Sequence, residues 1–326
     1  MLGTTANSFA DEVNVYSGRQ EALIKPLLDE FTERTNIKVN LVTGKGDALI
    51  SRLSSEGELS PADLILMADA GRLVRANKMG LTQSIESAVI LQRVPQALRA
   101  SNNHWIALTK RARPIMYVKG KVDPVSISSV QDLGDESLKG QICIRSSSNI
   151  YNQSMLASMI MLNGENETRE WAKGVVKNFA RTPKGGDRDQ IKAIVAGECN
   201  FAVANTYYLG GMLASQDDET REIAEQVGVI WPDQEGQGTH VNVSGAAITK
   251  YAQNKDEAQM LLSFMLEEAS QRWYAEVNHE YPIIEGVKWS DELTSLGKFK
   301  AQSIDLERMG ELNAQALKLM DQAGWR

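Results

Sequence analysis

The strongest constraint on the fold is the alternation of strand-like and helix-like segments in the first 75 residues. Val13-Asn-Val-Tyr16-Ser reads as a strand. Leu23, Ile24, Leu27, Leu28 and Phe31 then recur at helical spacing, in a helix opening at Arg19 or Gln20 and ending at Asn36. Ile37-Lys-Val-Asn-Leu-Val42 alternates as a second strand, and Ala48 to Leu53 reads as a helix. Ala62 to Met67 is a third strand, with another helix beginning at Ala70. A β-α-β-α-β run implies an α/β fold with a mainly parallel sheet and right-handed crossovers, flanked by helices.

A second set of strands and helices spans roughly 111 to 236: strands at Ile115–Val118, around Cys143 and over Phe201–Ala204, helices over Asn152–Leu162, Glu165–Phe179 and Asp189–Val195. A helix start is expected at Ser129. Val241 to Thr249 returns as a buried strand, a helix follows Asn254, and the tail from Ser303 to Gly324 is largely helical. Short crossings without a flexible linker suggest two packed lobes with a cleft, 11–110 plus 237–285 and 111–236 plus 286–326. At 326 residues, the chain is long enough for two domains.

A net charge of −7 disfavours nucleic acid or an anionic membrane as partner, and no apolar run approaches the roughly 18 residues of a membrane span. Residues 1–10 lack a basic region and a long apolar core; they fit either the remnant of a removed leader or a natural disordered terminus. The chain carries no GxGxxG after a strand, no Walker A loop, no HExxH and no GxSxG. Its three histidines, His104, His240 and His279, have no metal spacing among themselves. These absences shift weight from catalysis to binding.

The remaining chemistry is rich in oxygen. Tyr207 and Tyr208 follow the apolar run Phe201–Ala204 and the turn residues Asn205-Thr206, where a strand gives way to a helix. Tyr151 occupies the analogous place after the Cys143 strand, beside a run of Ser and Asn. Such turns are where α/β sheets place ligands. Three convergent phenols suit a hard, highly charged cation, of which Fe(III) is the abundant example. Arg19 and Arg111 each follow a strand on either side of the supposed cleft, and a guanidinium fork matches a planar oxyanion; Gln20 adds an amide donor. Equally, each arginine could be an ordinary surface charge. Cys143 and Cys199 each precede a tyrosine by eight residues, and they can bridge if their strands are neighbours.

Tyr16-Ser-Gly-Arg19-Gln20, Gly57-Glu-Leu-Ser-Pro61-Ala-Asp63, Arg111-Ala-Arg113, Cys143-Ile-Arg145-Ser…Tyr151-Asn152, Gly185-Gly186-Asp187-Arg188-Asp189-Gln190, Asn205-Thr-Tyr207-Tyr208, Asn242-Val-Ser-Gly245 and Asn278-His-Glu-Tyr281-Pro282 together resemble bacterial periplasmic ferric-ion-binding proteins, from about residue 12 to the C-terminus. The resemblance implies a two-lobed, type II periplasmic binding protein, non-catalytic and monomeric, that hands Fe(III) to the membrane permease of an ABC importer. Gln20-Glu21 stands where some members carry a His or a His-Tyr pair, so the chain resembles the subclass with three tyrosines and a synergistic (bi)carbonate. By that resemblance Tyr151, Tyr207 and Tyr208 bind the metal, while Arg19, Gln20 and Arg111 hold the anion, with Ser147 and Asn152 as supporting donors. It also implies a Cys143–Cys199 disulfide, a removed leader and a periplasmic location in a Gram-negative bacterium. Glu21 is a candidate direct ligand or a solvated carboxylate. The competing reading on the same fold is a binder of a small oxyanion or carboxylate; an enzyme on a two-lobed scaffold is a third.

Overall fold

A computed structural model describes residues 11–326; the leader-like segment of residues 1–10 lies outside the described residues. Eleven strands follow in chain order: β1 Glu12–Ser17, β2 Lys38–Thr43, β3 Leu64–Met67, β4 Thr82–Gln83, β5 Ile106–Ala112, β6 Ile115–Val118, β7 Ile142–Cys143, β8 Phe201–Val203, β9 Val227–Ile230, β10 Val241–Thr249 and β11 Tyr281–Pro282. They form two sheets flanked by helices. One runs β11-β5-β10-β3-β1-β2, with β4 also paired to β10; the other runs β7-β8-β6-β9.

Both sheets are mixed, with a larger antiparallel share than the sequence alternation implies. Among the strands of the described residues, only β1–β2, β1–β3 and β7–β8 pair in parallel. The cause lies in the crossings. The chain leaves the first sheet after β5, builds the second, and comes back as β10, which inserts antiparallel between β3 and β5. At the crossing the Arg113 N–H donates to the His240 carbonyl at 3.0 Å, stitching outgoing and incoming segments together.

Three element boundaries differ from the sequence reading, for local reasons. The first helix spans Lys25–Thr35, after a 3-10 turn at Glu21–Leu23, with Pro26 in the first turn where a missing N–H costs least. Arg19 and Gln20 therefore sit on a turn rather than in the helix. Asn36 ends the helix in the left-handed region, φ 61°, a conformation Asn tolerates. The helix expected at Ser129 is only the 3-10 turn Gln131–Gly134, because Asp132 bonds back to the Ser128 and Ser129 N–H groups. The tail divides into the Leu306–Glu311 and Asn313–Ala323 helices. The first packs on the Ala70–Lys78 helix of the first sheet's side, where a Cβ on Gly310 would meet Val74 Cβ at 2.7 Å. Asn313 Nδ2 donates to Ser154 Oγ on the Ile150–Asn163 helix at 3.3 Å, so the tail touches both halves of the molecule.

Candidate metal centre

Each phenol is aimed by a strand that stops and a helix that starts. After β7, the Asn149 side chain accepts the Asn152 N–H and caps the Ile150–Asn163 helix, which puts Tyr151 in the first turn. After β8, Asn205 stays extended and the Thr206–Leu213 helix begins, which puts Tyr207 and Tyr208 in its first turn. Since β7 and β8 are parallel neighbours, the two turns open on the same side. Cys143 and Cys199 are bridged, with Cα atoms 5.9 Å apart. They are not register partners, as equal depth in two strands would require. Cys143 opposes Ala202, and the bridge runs to the segment entering β8.

The phenols converge. Tyr207 Oη donates to Tyr151 Oη at 3.1 Å, and the Tyr207 and Tyr208 rings lie 4.2 Å apart between centroids. All three line one cleft together with Gly18, Arg19, Gln20 and Glu280. Burial, then the neighbouring Tyr151 and Tyr208, hold the Tyr207 phenol well above its ordinary pKa, against the opposing pull of Arg111. Burial likewise raises Tyr208, with Tyr151 and Asp187 adding to it. Such phenols stay neutral in water at neutral pH and become ligands only when a cation displaces the proton. Among the described residues, no group of three or more His, Cys, Asp or Glu could hold a metal ion. The concentration of donors is phenolic.

The cations surround this cluster. Arg111 is 2% exposed, and its Nη1 donates to Ser244 Oγ at 3.0 Å. Its Nε and Nη2 have no hydrogen-bond partner among the described residues, and the guanidinium carbon lies 5.6 Å from the Tyr151 ring centroid. Nη2 faces the buried Asp69 Oδ2 at 3.8 Å, and Arg111 sits behind Tyr151 rather than in the wall of the main cleft, so its donors are available to an anion only beside that ring. Arg19 follows β1 and Arg111 lies within β5, so both come from the first sheet rather than from either side of the cleft as the sequence suggests, and Arg19 pairs with Glu280. Gln20 lines the same cleft.

Two of the anticipated anion donors are used elsewhere. Asn152 is fully buried; its Oδ1 accepts from Arg113 Nη2 at 2.6 Å and its Nδ2 donates to the Arg145 and Ser146 carbonyls. Ser147 Oγ donates to Asp321 at 3.2 Å. Neither lines the cleft; they shape the turn that carries Tyr151. Glu21 is exposed in its 3-10 turn and is likewise absent from the cleft wall. Conversely, the sequence reading assigned no role to Arg188, whose guanidinium lies 5.5 Å from the Tyr208 ring centroid, or to His279 and Glu280. The signal for the last two was a titratable pair inside the run Asn278–Pro282, which carries the family resemblance but to which no site role was attached.

The two-sheet architecture, with a cleft lined by phenols and guanidiniums, is that of a two-lobed, type II binding protein. The chain belongs to the bacterial extracellular solute-binding protein family, whose sequence model matches residues 27–301. It is 46% identical over 315 residues, 97% of this chain and 88% of the relative, to iron uptake protein A1 of Synechocystis sp.. Among solved structures it is similar to the Trichodesmium protein IdiA (FutA) in complex with iron and citrate, with TM-score 0.92 and 45% identity over 97% of this chain and all of that one. It is also similar to a ferric binding protein from Campylobacter jejuni, with TM-score 0.94 and 39% identity over 96% of this chain and 100% of the other.

Proposed function

We propose that this protein captures Fe(III) through Tyr151, Tyr207 and Tyr208, together with a synergistic carbonate held by Arg19, Gln20 and Arg111, and delivers it to the permease of an ABC importer. The observation that carries the reading is the meeting of Tyr207 Oη and Tyr151 Oη at 3.1 Å beside the two open donors of Arg111. Phenolate oxygens match the charge density of a trivalent ion, and three of them neutralise it. The anion completes the coordination and is itself neutralised by the guanidiniums. The iron-related descriptions of the relatives, and a family of solute-binding proteins, support a carrier rather than an enzyme.

The lobes are taken as 11–110 plus 237–285 and 111–236 plus 286–326, closing as a monomer on the cargo in the periplasm after removal of a leader. Protonation of the phenols, or reduction of the iron, weakens the phenolate–iron bond and releases the cargo. The test is the visible spectrum of the metal-free protein after addition of Fe(III) and bicarbonate. A red-to-orange phenolate-to-iron band is expected, and a colourless protein refutes the assignment. Calorimetry with oxyanions alone separates it from a simple anion carrier, which would bind them without metal.

A further inference from the structure

The cleft wall contains a single carboxylate among the described residues, Glu280, and iron capture as proposed above gives it no task. It is 3% exposed and lies between the Glu268–Val277 helix and β11. Arg19 Nη2 donates to its Oε2, and Thr109 Oγ1 donates to the same oxygen at 2.6 Å. Ser244 Oγ donates to Oε1 at 3.1 Å while accepting from Arg111 Nη1 at 3.0 Å. One carboxylate thus ties both guanidiniums, Arg19 directly and Arg111 through a hydroxyl, while Asp69 faces Arg111 Nη2 from elsewhere at 3.8 Å and is unchanged in every variant below. Burial pushes the Glu280 carboxyl up, but Arg19 and Arg111 outweigh it and hold the group below its ordinary pKa, so it is ionised. In shape and charge it is a resident oxyanion.

We propose that Glu280 makes anion binding conditional on the metal: as a built-in counter-ion of Arg19 and Arg111, it leaves them too little net positive charge to hold a small oxyanion in the metal-free cleft. The inference rests on the iron reading above, in which Fe(III) supplies the missing positive charge and brings the anion in with it. Two opposite expectations separate this role from simple scaffolding. If Glu280 only anchored Arg19, removing its charge would weaken anion binding. As a rival of the anion, its neutralisation strengthens that binding.

The experiment is calorimetric titration of metal-free protein with inorganic phosphate at neutral pH and low ionic strength. Wild type and Glu280→Asp, which keep the charge, are expected to bind weakly. Glu280→Gln is expected to bind about tenfold to a hundredfold tighter, the effect of removing one buried charge roughly 6–12 Å from the anion at an effective dielectric near 20. Glu280→Ala removes the same charge without leaving an amide to satisfy, and is read in the same way if the Gln variant does not fold. Phosphate binding to Glu280→Gln or Glu280→Ala that is no tighter than to wild type overturns the proposal, as does equally tight binding by Glu280→Asp. No iron is present in this titration. An absent visible band in iron-loaded wild type therefore counts against the iron reading, while a normal band with unchanged phosphate affinities counts against the role of Glu280 alone.

Discussion

Loading the cleft with iron is expected to release protons, and the number depends on which phenols ligate. Tyr207 and Tyr208 are held above their ordinary pKa by burial first and by neighbouring phenols next. At pH 7 the ionisation of even an unshifted phenol costs about 4 kcal/mol, which the iron–phenolate bond must offset. Each phenol that ligates therefore sheds one proton, and the logarithm of the iron affinity rises by one per pH unit for each. Tyr207→Phe removes the hydroxyl that reaches Tyr151 at 3.1 Å and leaves the ring packed 4.2 Å from Tyr208 between centroids. The assay is a pH-stat titration of metal-free wild type and variant with the same Fe(III) chelate and bicarbonate, so that protons from the chelate and the anion cancel in the difference. The variant should release one proton fewer and show a weaker charge-transfer band. A hydroxide entering in place of the phenolate would restore the count but not the band. An unchanged count with an unchanged band removes Tyr207 from the ligand set and refutes the argument.

Four further outcomes follow from the same coordinates. Arg111→Gln takes away the buried guanidinium with open donors, and competition against a chelator in bicarbonate buffer should show iron affinity reduced by roughly tenfold to a hundredfold. Gly210→Ala drives a Cβ to 2.7 Å from His279 Cβ, and His279 sits at φ 52°, so the contact has little room to relax; thermal unfolding should show a loss of about 1–3 kcal/mol. Burial depresses the His240 imidazole to about 3, so the unfolded chain takes up its proton first and stability is lost as pH falls from about 6.5 towards 3; denaturant melts should show this acid limb flattened, by up to about 5 kcal/mol, in His240→Gln. Reducing the Cys143–Cys199 bridge, which spans a separation of 56 residues, should cost about 4 kcal/mol in the same melts if chain entropy dominates.

What the sequence disclosed and what it withheld divide along physical lines. Strand-to-helix punctuation is local: an apolar run followed by Asn205-Thr206, or by the Ser-Asn run before Tyr151, marks where a side chain enters a first helical turn. The three tyrosines were therefore legible as a group, although their ligand role rests on the iron reading. Sheet direction was not legible, because β10 finds its antiparallel neighbours β5 and β3 across 128 or more residues of intervening chain, 113–240 in the case of β5. Side-chain commitments were equally hidden. Asn152 has the right chemistry for an anion donor, yet Arg113 and two carbonyls claim its carboxamide from residues that the sequence alone does not bring together. Glu280 lies far from Arg19 in the chain, and only the fold makes them a pair. No periodicity reports a contact of that range.

The bridge between Cys143 and Cys199 also has a consequence for time. The covalent loop it closes contains Tyr151 and ends eight residues before Tyr207. An oxidised chain that has lost its tertiary packing still keeps the two tyrosine turns close, so the long search that would bring them together has already been completed. The oxidised protein should accordingly recover iron-binding competence faster after denaturation than the reduced one, even where both reach the same native state. Once oxidised, the chain carries the proximity of its two tyrosine turns through unfolding.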